Sequence, residues 1–167
     1  MAGMAPAALL TDPTVAFIQR EVAIDLGACS AQLRPSTCRG FACRVAPDRT
    51  RLTVYVRRPE ALPLLQDVVA QDQLAAVFCL PETEVSIQIK GRQVAIAAAT
   101  AEEVAEVRAY CARFVEGVTR IGFGRAFAEA YMAIEPAQMV ALSFTPEAVF
   151  DQTPGPLAGR HQAEAAA

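Results

Sequence analysis

From Val22 to Leu26 and again from Leu52 to Val56 the apolar positions recur every second residue, and turn chemistry stands between the two runs. In REVAIDLGACSA, Val22, Ile24 and Leu26 fall on one face and Ala23, Asp25 and Gly27 on the other, the period of a half-buried strand. RPSTCRGFACRV predicts a second strand starting after Pro35, and RLTVYV, β-branched and aromatic, a third. Pro47, Asp48 and Thr50 make Ala46–Thr50 a turn. Links this short impose antiparallel pairing.

The period then lengthens. Asp12 and Pro13 read as N-cap and first residue of a short helix ending near Gln19. Pro59 opens a second, PEALPLLQDVVAQ, with Leu62, Leu65, Val68 and Val69 as its apolar face and Pro63 still in its first turn. QLAAVFCL is a fourth strand, Pro81 to Glu84 a loop, and EVSIQIKGRQVAIAA a long fifth strand. Gly91 in its middle marks a bulge or a close approach to the backbone. Thr100 and Glu103 form a capping box for a helix to about Val118, with Val104, Val107, Cys111, Phe114 and Val118 on one side. RIGFGRAFAEAYM predicts a shorter helix and MVALSFTPEAVF a last strand; from about residue 160 the Ala-rich tail should fray.

This order predicts an α+β, mainly β fold: a six-stranded antiparallel barrel with helices over its openings, in one domain with a core of about 12–159. A doubly wound fold would need helices between nearly all strands, and the first three have none.

The chain has 167 residues, 53% of them hydrophobic, and a net charge of −3, which excludes a disordered chain and gives no basic excess for a nucleic acid. The first residues lack a cationic region and a long apolar core, so no signal peptide is expected; no apolar run is long enough for a membrane span. Five cysteines without a CxxC, and His161 as the only histidine, set in the tail, argue against a metal site and for buried thiols in a reducing cytoplasm. GFG at Gly122–Gly124 lacks the rest of a dinucleotide fingerprint and reads as a turn. No nucleophile elbow and no carboxylate pair stands out.

Candidate chemistry lies in the cations. Lys90 is the only lysine beside fourteen arginines. Ser86, Gln88 and Lys90 share one strand face, which is either a ligand groove or a solvated strand surface. Arg34, Arg39 and Arg44 are spaced by five and would alternate faces on an unbroken strand; Arg39 stands beside Gly40, where a ligand could approach the backbone. Arg57 and Arg58 precede a helix N-terminus, a natural phosphate site, against the plainer reading of surface charge.

RPSTCRGFACRV, DRTRLTVYV, LLQDVVAQDQLAAVF, VSIQIKG and VFDQTPGPLAG, taken in order, make Ala16 to Gly159 resemble the pyridoxamine 5′-phosphate oxidase-like split barrels. The resemblance implies a homodimer with FMN in grooves at the interface and redox chemistry at the flavin on a small-molecule substrate. It places Arg39, Arg57, Arg58, Ser86, Gln88 and Lys90 at the cofactor. Haem and the deazaflavin F420 are ligands of related barrels. The chain departs at Pro59–Leu62, where PEAL replaces a run that in flavin-binding members donates to phosphate. That departure favours an alternative, a barrel without flavin serving as a small-ligand or interaction module.

Overall fold

The computed structural model describes residues 9–164. Its elements are α1 (Asp12–Ile18), β1 (Ala23–Cys29), β2 (Pro35–Val45), β3 (Leu52–Arg57), α2 (Arg58–Gln71), β4 (Leu74–Cys79), β5 (Ser86–Ala98), α3 (Ala101–Arg120), α4 (Arg125–Tyr131), β6 (Met139–Asp151) and β7 (His161–Glu164). The strands run β3-β2-β1-β4-β5-β6, all antiparallel, and β3 pairs with β6 to close a six-stranded barrel. This is the predicted split barrel with flanking helices.

The alternation read from the sequence sets the barrel wall. Ile24 and Leu26 on β1, Leu52, Val54 and Val56 on β3, Phe78 on β4 and Ile89 on β5 are buried to 1% exposure or less. α2 packs on β1 and β2. Its buried face is Ala61, Leu64, Leu65 and Val68, while Leu62 and Val69 face solvent. The expected stripe shared Leu65 and Val68 with the real one. Small Ala61, not Leu62, marks the close approach to the sheet. α1 is capped by Thr11 and not Asp12: the Thr11 Oγ1 accepts from the Thr14 amide at 3.4 Å. Asp12 instead sits in the first turn, where its charge suits the helix dipole, and pairs with Arg49. The capping box of α3 forms as predicted.

β5 and β6 carry the closure. Gly91 does mark a bulge, with register shifts between Lys90 and Gly91 and between Arg92 and Ala95. What approaches its backbone is β6: a Cβ on Gly91 would lie 2.1 Å from the Thr145 carbonyl oxygen. In the second shift Gln93 adopts φ 55°. Two side chains hold it. The Asp72 carboxylate accepts from the amides of Gln93 and Val94 at 3.1 and 2.8 Å, bonds that lower its pKa. Arg51 donates to the Gln93 carbonyl at 2.9 Å and to the Ser143 carbonyl at 2.6 Å.

Part of the segment expected to fray lies in a strand. Residues 161–164 form β7 on β6, and the His161 ring packs edge-on against Phe150, 4.1 Å between centroids. Residues 165–167 of the expected tail lie outside the described residues. Phe150 provides an apolar anchor that periodicity in the short segment cannot reveal. No helix among the described residues is long and apolar enough to cross a membrane.

Gly91→Ala should destabilise the fold by about 2–3 kcal/mol or more, because backbone and not a flexible side chain must give way. A thermal melt within about 1–2 °C of the parent's would contradict the close β5–β6 crossing.

Candidate functional site

On the outer face of the wall, β1, β4 and β5 present small residues in adjacent rows. Gly27 pairs with Ala75, and Ala75 with Lys90. The result is a groove of about 460 Å³, with Gly27, Ala28 and Ala75 along it and Gln88, Lys90 and Arg92 contributing polar groups. That volume lies in the range of small-molecule sites. Gly27 has an ordinary strand backbone, and a Cβ there would meet nothing within 4 Å. Neither conformation nor packing requires this glycine, although glycine within a strand costs about 0.5–1 kcal/mol. Its effect is to leave the groove open.

The charges follow from the bulge. Lys90 pairs with Ala148 and Gly91 with Pro146, so Glu147 is the extra residue on β6. Its carboxylate lies 3.7 Å from the Arg92 guanidinium at the groove. The Lys90 ammonium stands 4.8 Å from the centre of the Phe150 ring, a cation–π contact, and makes no ion pair among the described residues. Gln88 shares a side-chain hydrogen bond of 3.3 Å with Gln152.

The six residues expected at a cofactor divide. Gln88 and Lys90 line the groove. Ser86 is 6% exposed and does not: its hydroxyl donates to the Glu84 carbonyl at 2.8 Å, and its amide donates to the Thr153 hydroxyl at 3.1 Å. Thr153, just after β6, thus ties the chain to β5.

Arg39 lies in the same cross-strand row as Gln88, through Asp25 and Val77, but three strands away, roughly 14 Å. Its guanidinium sits between the rings of Phe114 and Tyr131, 4.8 Å from each centroid, and its Nε is buried without a partner. Gly40 beside it serves packing and not ligand approach, since a Cβ would lie 2.6 Å from Ile24. Arg57 donates to Glu60 at 2.8 Å and to the Ala133 carbonyl at 2.9 Å, over the Phe41 ring. Arg58 is exposed in the first turn of α2 and forms no ion pair among the described residues. The arginine pair therefore does not converge on one point.

The spacing of five also misleads. Gly40 pairs with Val56 and Cys43 with Val54, so β2 bulges by one residue there, at Ala42 with φ 66°. The odd spacing becomes an even one, and Arg39 and Arg44 emerge on the same face. α3 and α4 cover that face. Arg44 reaches Glu106 of α3 at 2.6 and 3.1 Å, and Tyr55 reaches Glu103 at 3.2 Å. An alanine bulge carries no glycine signal by which the sequence could reveal it.

The cysteines behave as small apolar residues. Burial first, then Asp25 and Glu60, pushes Cys38 from 9.0 up to about 12. Burial pushes Cys43 up to about 12 and Cys111 up to about 11. No group of three potential metal ligands occurs among the described residues.

The sequence matches no protein-family model and no curated protein. Among solved structures it is similar to an F420 reductase, at 12% identity and a TM-score of 0.53, over 87% of this chain and 98% of that one. HupZ of Group A Streptococcus gives 13% and 0.52, over 89% and 98%. A pyridoxamine 5′-phosphate oxidase-related, FMN-binding protein of Nostoc punctiforme PCC 73102 gives 15% and 0.50, over 93% and 88%. At these identities the likeness shows the fold: the split barrel is common to all of them.

The three raised thiols are neutral when folded at pH values where they ionise when unfolded. Their contribution to stability is complete below about pH 9 and lost as pH rises toward 11–12. The urea midpoint should fall between pH 9 and 11, and less steeply in Cys43→Ala. A midpoint flat across that interval would show that the thiols are not held neutral.

Proposed function

We propose that this chain binds a flat, anionic cofactor of the flavin class, FMN first among them, in the groove of β1, β4 and β5. The observation that carries this reading is Gly27. It sits unforced in a strand, in a groove whose polar lining includes Lys90, Arg92 and Gln88. The fit is chemical. Small floor residues admit a ring face, the Lys90 ammonium, which forms no ion pair among the described residues, suits a phosphate, and an amide can hydrogen-bond a ring edge; Arg92 is paired with Glu147, which also lines the groove. The similarity to an FMN-binding protein supports the same class of ligand.

FMN, when bound, supplies hydride or electron transfer at its ring. The protein's residues then bind, orient and exclude water. The protein would act as an oxidoreductase on a small-molecule substrate in the cytoplasm. It would work as a homodimer, with the exposed alanines of β5 and Ile96 offering apolar surface to the second copy.

One observation favours a second reading, a barrel without flavin that binds another small ligand. Arg39 and Arg57, two of the cations the resemblance assigns to the cofactor, are engaged by rings, a carbonyl and Glu60. PEAL at Pro59–Leu62 supplies no replacement side-chain donor.

The purified protein, reconstituted with FMN, should show absorbance bands near about 370 and 450 nm that persist through desalting. No retained colour and no heat on titration would favour the second reading. Lys90→Met keeps the stem and removes the charge; FMN affinity should fall about tenfold or more with little change in melting temperature. Gly27→Val should leave stability equal or up to about 1 kcal/mol higher while blocking the groove. Undiminished FMN binding in Gly27→Val would place the cofactor elsewhere.

A further inference from the structure

A second cavity, of about 280 Å³, lies between α1, β2 and α3. The β2 residue paired with Gly27 of the groove is Thr37. Arg44 of the second cavity lies seven residues further along β2, roughly 20 Å away. It is a separate site.

Three arginines from three parts of the chain line it: Arg20 just beyond α1, Arg44 on β2 and Arg113 on α3. Glu106 is the one carboxylate among the lining residues, and Arg44 already holds it through two hydrogen bonds. Glu102, 3.5 Å from Arg44, adds a second, exposed carboxylate beside that pair. Arg20 and Arg113 form no ion pair and no side-chain hydrogen bond among the described residues. A concave surface concentrates the field of uncompensated charge. The guanidinium fork matches phosphate oxygens in pairs.

The β2 bulge shapes the cavity wall. Ala42 lines this cavity in the left-handed region, at φ 66°, where a side-chain-bearing residue costs about 1–2 kcal/mol. The bulge it creates turns Arg44 to the α3 side. Tyr110, fixed by donating its hydroxyl to the Val22 carbonyl, provides an apolar wall.

We infer that this cavity binds the phosphate group of a small phosphomonoester. Arg20 and Arg113 grip the phosphate, Arg44 adds charge, and the organic body lies against Tyr110 and Ala42. The site does not depend on a flavin in the groove.

Isothermal titration at low ionic strength tests it, with inorganic phosphate and ribose 5-phosphate as probes and sodium chloride at matched ionic strength as control. The expected result is saturable binding, one per chain, with ribose 5-phosphate at least as tight as phosphate. Arg20→Ala with Arg113→Ala should weaken it tenfold or more, and each single Gln variant should weaken it partially. Both side chains are exposed, so the melts of these variants should match the parent's. Probes that bind no better than chloride would overturn the inference. So would parental affinity in the double variant.

Discussion

The structure depends on how closely β6 can approach β5. At Gly91 the carbonyl of Thr145 occupies the space where a side chain would begin. That contact lets β6 pair with β5 on one flank and β3 on the other, which closes the barrel. Two register shifts accompany it. One leaves Glu147 over on β6, beside Arg92. The other leaves an extra residue on β5, held by Asp72 from the end of α2 and by Arg51 from the start of β3. Closure and the electrostatics of the groove therefore have one origin.

The wall itself was legible because its period is two. Val22, Ile24, Leu26 and the β3 valines alternate as a half-buried strand must, and a glycine inside an alternating run points to a bulge. The capping box at Thr100 was equally explicit. What escaped was chemistry without a local signature. The Ala42 bulge has no glycine. The phase of α2 turned on a small Ala61 that hydrophobicity ranks below Leu62. β7 packs against the Phe150 ring of β6 through His161, a contact across the turn that short-segment periodicity does not show.

The same distinction applies to the sites. Gln88 and Lys90 share a face by alternation alone, and the groove lies on that face. Gly27 was placed on the outward side of its strand, but its lack of any neighbour became visible only in three dimensions. Arg39 looked available because its ring partners, Phe114 and Tyr131, come from α3 and α4; Arg57 is engaged both by Glu60, three residues on, and by Ala133 after α4. Arg20, Arg44 and Arg113 are dispersed over ninety-odd positions, and only the fold brings them together.

The central claim is that a flavin-class ligand lies across β1, β4 and β5, away from the arginines covered by α3. Amide chemical shifts of isotope-labelled protein, recorded during titration with FMN, test it directly. The account predicts saturable shifts concentrated at Gly27–Cys29, Ala75 and Gln88–Arg92, with Gly40, Arg57 and Phe114 unmoved. Shifts confined to Arg39–Arg44, Arg57 and α3 would contradict it.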